Sequence, residues 1–93
     1  MDKIKQRRIL INRDKVVAKK IAKQVILLNK PERCLYELNN IASFIWLKAN
    51  GKVKVKDIIK EICQRYEVKP DTAEKDTVEF VNDCVKKGVL VLV

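Results

Sequence analysis

The sequence contains no histidine and only two glycines among its 93 residues. The absence of histidine excludes Ser-His-Asp triads, Cys-His nucleophiles and histidine-containing metal sites. Two isolated glycines, Gly51 and Gly88, exclude the glycine-rich loops that bind nucleotide phosphates. We therefore expect a protein that binds its target without catalysing a reaction, and we expect no cofactor.

Cysteine and long apolar runs are scarce as well. The three cysteines, Cys34, Cys63 and Cys84, form no CxxC pair and have no spacing typical of zinc sites. We expect three reduced thiols packed in the core. The first residues lack the apolar region of a signal peptide, and no run approaches the roughly 18 residues of a membrane span. The sequence thus predicts a cytoplasmic protein with no membrane partner.

Positive charge is what the chain has in excess. Lysine and arginine number 21 against 12 acidic residues, giving a net charge of +9. Counted by region, residues 1–33 carry +8, residues 34–68 carry +2, and residues 69–93 carry −1. An excess of this size indicates a polyanionic or acidic partner, and its position in the chain helps to decide which.

The first half of the chain has β-favouring runs separated by turn residues. Residues 16–21, 24–28 and 34–38 predict three strands, with a turn around Pro31. In the third strand, Tyr36 and Leu38 share the core face while Leu35 and Glu37 share the other. The apolar cluster at residues 9–11 is either a short strand or a tail that docks on the fold.

The second half has helical periodicity. Asn39 is a candidate N-cap for a first helix that ends at Asn50-Gly51. A second helix follows, and Pro70 begins a third that ends at Gly88. Residues 89–93 read as an extended segment. This order predicts an α+β fold similar to a winged helix-turn-helix, with a three-stranded antiparallel sheet followed by three helices.

The third helix argues against the simplest nucleic-acid mode. A recognition helix in the major groove approaches phosphates, yet this helix carries five carboxylates: Asp71, Glu74, Asp76, Glu79 and Asp83. Nucleic acid is therefore disfavoured as a partner. A winged helix DNA-binding regulator that uses its basic sheet or wing stays the alternative, and a subunit that only dimerises is a third possibility.

Two apolar stripes run along the same helix. One contains Ala73, Thr77, Phe80 and Cys84, and the other contains Val78, Val81 and Val85. Together they are wider than one packing face requires. The second stripe therefore predicts an apolar wall, unless it contacts the C-terminal segment or a dimer partner.

An ordered set of motifs resembles the PqqD-like family of RiPP recognition elements, covering about residues 14–92. The motifs are Tyr36-Glu-Leu-Asn39, Ile41-Ala-Ser-Phe-Ile-Trp46, Gly51, Val55-x-x-Ile-Ile59, Tyr66-Glu-Val-x-Pro70, Asp76-x-x-x-Phe80 and Lys87-Gly-Val-Leu90. On this resemblance, residues 14–93 form a peptide-binding domain and residues 1–13 a basic N-terminal tail or short strand.

The resemblance implies a stand-alone, monomeric or homodimeric protein that binds the leader of a ribosomally made precursor peptide. The leader would add as a strand beside the third strand, in a groove closed by the third helix, and be presented to a modifying enzyme, often a radical-SAM enzyme. Carried over by position, the candidate peptide-binding residues are Arg33, Cys34, Leu35, Tyr36, Glu37, Val78, Val81, Asn82 and Val85.

Overall fold

Two three-stranded antiparallel sheets and three α-helices form residues 3–93, the part of the chain that the computed structural model describes. The predicted α+β class, with a three-stranded sheet followed by three helices, is confirmed. The strands are β1 (Arg8–Ile11), β2 (Val16–Ile21), β3 (Gln24–Asn29), β4 (Cys34–Glu37), β5 (Asn50–Lys54) and β6 (Leu90–Leu92). The helices are α1 (Asn40–Leu47), α2 (Val55–Arg65) and α3 (Pro70–Lys86).

The first sheet, which we call the meander sheet, has the strand order β2-β3-β4. Val25 and Leu27 of the central strand are buried, while Gln24 and Leu28 between and beside them are exposed. This alternation places one face of the sheet on the helices and leaves the other face in solvent.

The second sheet, the terminal sheet, has the order β5-β1-β6 and joins both ends of the chain. Residues 9–11 form part of the central strand β1, and Ile9 is fully buried. Of the predicted segment 1–13, residues 1 and 2 lie outside the described residues. β5 was not predicted, because Gly51 and the lysines around it read as a loop and its partner strand lies about 40 residues earlier.

The starts of α1 and α3 and the end of α3 lie at the expected residues, whereas α1 ends at Leu47 and the predicted stop at Asn50-Gly51 lies in β5. The Asn39 side chain caps α1, its Oδ1 accepting from the Ala42 N–H at 2.8 Å. Pro70 begins α3, and Gly88 follows it with a φ of +80°, a left-handed conformation that favours glycine. Trp46 of α1 and Ile58 and Ile62 of α2 are fully buried in the core. No helix within residues 3–93 has the length and apolar character needed to cross a bilayer.

Candidate peptide-binding site

One edge of the meander sheet, along β4, is open. The Leu38 N–H donates to the Val25 carbonyl at 2.9 Å, which makes this pair a hydrogen-bonded position of the β3–β4 ladder. Such positions alternate along antiparallel strands, so Tyr36 and Cys34 also point their backbone groups at β3. The N–H and C=O groups of Leu35 and Glu37 therefore point away from β3, to an edge that pairs with no strand of residues 3–93.

A buried hydroxyl holds the end of this edge strand. The Val25 N–H donates to Ser43 Oγ at 2.9 Å, and the Ser43 hydroxyl donates to the Leu38 carbonyl at 3.1 Å. Ser43 thus bridges β3 and β4 where the chain turns into α1, and it satisfies two backbone groups that would otherwise be buried without partners. The position of β4 is fixed by this bridge as well as by its ladder.

Helix α3 lies beside the open edge and closes a cleft of about 340 Å³. Leu27, Leu38 and Val89 form its apolar floor, and Phe80 and Cys84 form the α3 wall. The backbone of β4 and the side chains of Asn29, Asp83 and Lys87 complete the lining. An apolar trough bordered by unpaired strand groups can accept an extended peptide, since the edge offers main-chain hydrogen bonds and the trough accepts alternate side chains.

A polar network closes one end of the cleft. The Glu32 carboxylate accepts from Asn29 Nδ2 at 2.9 Å and from the Tyr36 hydroxyl at 3.3 Å. Lys87 Nζ lies 4.6 Å from the centroid of the Tyr36 ring, within the range of a cation–π interaction. Partial burial, and then the neighbouring Glu32 carboxylate, raise the pKa of the Tyr36 hydroxyl above its ordinary value. These contacts connect β4 to both the preceding turn and α3.

The three cysteines occupy different environments. Cys84 is buried in the cleft wall, and burial raises the pKa of its thiol to about 12, so it packs there as a small neutral group. Cys34 is exposed and Cys63 is partly buried. The prediction that all three pack in the core is therefore correct for Cys84 alone. Within residues 3–93, no cluster of three or more His, Cys, Asp or Glu side chains is placed to hold a metal ion.

The wall of the cleft is not the stripe that the sequence analysis selected. Val81 is fully buried in the core, and neither Val78, Asn82 nor Val85 lines the cleft. The stripe through Phe80 and Cys84 faces β4 instead. Both stripes are apolar, and periodicity alone does not determine which of them a neighbouring strand will cover.

The strand residues need a second correction. Five consecutive residues, 33–37, were expected to offer backbone groups, but in β4 alternate residues face the open edge. Cys34 and Tyr36 face β3, and Arg33 lies in the preceding turn with a φ of +55°. The groups that sequence reasoning missed, Phe80, Asp83, Cys84 and Lys87, recur at i, i+3, i+4 and i+7, so their shared helix face was readable once α3 was placed beside β4.

Comparison with known proteins assigns the chain to a family. The family model of coenzyme PQQ synthesis protein D (PqqD) matches residues 24–90. The chain belongs to the PqqD family. The matched segment begins at β3 and ends in β6, so it includes β4, α3 and the whole cleft.

Solved structures share the fold. A structure described as TbiB1 in complex with the TbiA(beta) leader peptide is 28 % identical to this chain, with a TM-score of 0.76. The alignment covers 87 % of this chain and 93 % of the TbiB1 chain. A lasso peptide synthetase B1 complexed with the leader peptide is 20 % identical, with coverages of 92 % and 98 % and a TM-score of 0.74. The heterocyclase TruD is 22 % identical, with a TM-score of 0.61, over 94 % of this chain and 12 % of the enzyme. A search of curated proteins finds no match.

Proposed function

We propose that this PqqD-family chain is a RiPP recognition element that binds the leader of a ribosomally made precursor peptide. The leader lies along β4 as a fourth strand of the meander sheet. Its backbone pairs with the outward N–H and C=O groups of Leu35 and Glu37, and alternate side chains enter the cleft.

The observation that carries this proposal is the coincidence of an open strand edge with an apolar cleft. Exposed edges are a liability that proteins normally cover, because any extended chain can pair with them. Here the open edge borders the cleft. Backbone pairing alone has little sequence preference, and side-chain contacts in the cleft would add register and selectivity. The TbiB1 structure, whose description includes a bound leader peptide, gives independent support.

The charges of α3 favour a peptide over a nucleic acid. Asp71, Asp76, Glu79 and Asp83 are all exposed on this helix. A major-groove role for α3 would bring these carboxylates toward phosphates, which repel them. Strand addition at β4 requires no contact between that acidic surface and the ligand, so the alternative of a DNA-binding regulator is less well supported.

The protein acts, in this proposal, by presenting the bound leader to a separate modifying enzyme in the cytoplasm, with no catalytic role of its own. A tethered precursor has a raised effective concentration at that enzyme. That the enzyme belongs to the radical-SAM class is a prediction from the family resemblance. The predicted oligomeric state is a monomer or a homodimer.

Amide hydrogen exchange tests the strand addition without any substitution. The probe is a synthetic leader peptide of a candidate precursor chosen from the genomic neighbourhood of this chain. On its addition, the amides of Leu35 and Glu37 should gain protection, because their N–H groups acquire carbonyl partners. The β2 edge provides the matched control. There the Lys30 N–H donates to the Lys15 carbonyl, so by the same alternation Ala18 faces the other open edge and should keep its exchange rate.

Three results would contradict the proposal. Protection of Ala18 as strongly as of Leu35 would mean general stabilisation without edge pairing. Protection confined to the terminal sheet would place the peptide elsewhere. No binding of the leader at all, together with tight binding of duplex DNA that weakens steeply as salt rises, would favour the regulator instead.

A further inference from the structure

The solvent face of the meander sheet is aliphatic. Cross-strand partners in an antiparallel sheet point to the same side, so the register fixes which side chains share this face. We call this set the outer face. Its members are Val17, Lys19, Ile21, Gln24, Ile26, Leu28, Leu35 and Glu37. Five of these eight side chains are aliphatic, on the side of the sheet that no helix covers.

Three of the aliphatic side chains form a row across the whole sheet. Val17 lies opposite Leu28, and Leu28 lies opposite Leu35. They are 50 %, 36 % and 71 % exposed, and Ile21 nearby is 52 % exposed. With strands about 4.8 Å apart, the row is about 10 Å long. Single exposed aliphatic residues are ordinary, but a contiguous cluster of them marks an interaction surface.

Positive charge is in excess on and beside the outer face, although Lys20 and Lys23 line a cleft with Phe44 and Tyr66 on the helix side of the sheet. The two hairpins that build the sheet carry six basic residues against three acidic ones between positions 14 and 37. The basic residues are Lys15, Lys19, Lys20, Lys23, Lys30 and Arg33. Within residues 3–93, none of the six forms an ion pair; the ion pairs described there involve Lys5 and Lys48. The charge is therefore available to carboxylates of a partner.

We propose that the outer face is the docking surface for the modifying enzyme, and that the enzyme contributes an aliphatic patch bordered by aspartate and glutamate. This inference rests on the function proposed above, since it names the protein to which the leader is presented. Aliphatic contact supplies affinity, and the basic border accelerates association and selects an acidic partner.

The same charges disfavour two other occupants. A second copy meeting this face across a two-fold axis would bring two copies of the same basic border together, with Glu37 as the one carboxylate among the eight members of each face. An anionic membrane would accept the lysines, but the outer face has no aromatic residue, presents the Glu37 carboxylate and is a flat sheet, whereas interfacial anchors are amphipathic helices with aromatic side chains. A protein surface with an aliphatic patch bordered by carboxylates complements both the aliphatic row and its basic border.

The outer face is continuous with the leader site. Leu35 and Glu37 belong to both, since their backbone groups face the open edge and their side chains lie on the outer face. A leader strand added beside β4 would place every second side chain on this same face. The enzyme would then contact the sheet and the leader together, and it should bind the leader-bound protein more tightly than the free protein.

The test uses a purified candidate modifying enzyme from the genomic neighbourhood of this chain and the same candidate leader labelled with fluorescein. The variant Val17→Glu/Ile21→Glu introduces carboxylates on β2, two strands away from the leader edge. The matched control, Val91→Glu/Val93→Glu, makes the same change on exposed side chains at the end of the terminal sheet, where exposure is 40 % and 49 %. Circular dichroism verifies that both variants fold.

We expect the outer-face variant to bind the enzyme at least about tenfold more weakly, as for central interface residues. Its leader affinity and the enzyme affinity of the control should be unchanged. Equal enzyme affinity of both variants would overturn the docking assignment, as would self-association of the wild type that the outer-face variant loses, or wild-type binding to phosphatidylglycerol vesicles through this face. Failure of the wild type to bind the leader would refute the proposed function instead, a separate result in the same anisotropy assay.

Discussion

The two sheets of this chain differ in how their edges are treated. In the terminal sheet, the Arg7 guanidinium donates to the carbonyls of Val93 and Leu92, both at 3.2 Å, beside the short strand β6. On the opposite strand β5, the Lys52 N–H donates to Asn50 Oδ1 at 2.9 Å. In the meander sheet, the outward groups of Leu35 and Glu37 have no such partner among residues 3–93.

The difference separates a structural sheet from a binding sheet. Side-chain caps, edge lysines and short strands are the usual means by which a protein prevents its edges from pairing with other chains. The terminal sheet uses all three, and Asn50 of its edge strand β5 lines a second cleft of about 380 Å³ that extends to Ala18 and Lys20 of β2. The β4 edge beside α3 is also short, at four residues, but it contains no lysine, and no side chain of residues 3–93 caps its outward groups. The predictions that follow test this separation.

The largest effect is expected in the centre of the terminal sheet. Ile9 is fully buried in β1, between β5 and β6. Ile9→Ala should lower the free energy of unfolding by about 2–5 kcal/mol, because it removes core contacts and leaves a cavity. Leu35→Ala at the open edge should change it by less than about 0.5 kcal/mol. Urea denaturation of both variants measures the contrast, and equal losses would show that β4 carries stability that its exposure does not indicate.

The next effect concerns binding rather than stability. Leu35→Pro removes an N–H that faces the open edge and leaves the β3–β4 ladder intact, since proline is tolerated on edge strands. We expect leader affinity to fall at least about tenfold, because one leader carbonyl loses its donor and the ring obstructs pairing. Fluorescence anisotropy with labelled leader measures the change.

Ala18→Pro is the matched control for that substitution. It removes an N–H on the opposite edge of the same sheet, two strands from β4, and Ala18 does not line the cleft. Its leader affinity should equal that of the wild type. If Ala18→Pro weakened the leader as much as Leu35→Pro, the effect would come from damage to the sheet and the open-edge assignment would be wrong.

The local structure was largely predictable from the sequence because its signals are local. The Asn39 cap, the alternation around Leu27 and the start of α3 at Pro70 each depend on residues within one turn or one hairpin. The terminal sheet was not predicted as a sheet, since β1, β5 and β6 are brought together from distant parts of the chain. Short strands that contain polar residues have too little hydrophobic pattern to predict a pairing strand 40 or 80 residues away in the chain.

The sequence analysis and the structure select the same region for the candidate site but different α3 residues. The resemblance placed it between the third strand of the meander and the third helix, where the cleft is found. The choice of α3 face failed, because Val81 and Phe80 are both apolar and the rotation of a helix depends on every neighbour it packs against. Substituting Val81 to disrupt a cleft would instead introduce a polar group into the core.

A smaller effect, on the cleft side, is expected at alkaline pH. Burial raises the Cys84 thiol pKa from 9.0 to about 12. Below pH 9 the thiol is protonated in both states, whereas above it the unfolded chain ionises first, so stability falls as pH rises from 9 toward 12. At pH 10 the loss should be about 1 kcal/mol relative to pH 8. Denaturation of Cys84→Ala at both values isolates this contribution, and an identical pH dependence in the variant would show that the thiol is not the cause.

The smallest effect should come from removing the Arg7 cap. Arg7→Ala deletes two exposed hydrogen bonds and should lower the free energy of unfolding by only about 0.5–1 kcal/mol. Its consequence for the β6 edge is more informative: the Leu92 carbonyl, opposite Ile9 in the register, becomes available for pairing. We expect weak self-association of the variant by sedimentation velocity, with unchanged leader affinity.

Arg7→Lys keeps the charge but not the forked geometry, so its stability and self-association should lie between those of the wild type and Arg7→Ala. A variant that stayed monomeric while losing leader affinity would mean that the two sheets act as one unit, and the separation of structural and binding edges would fail.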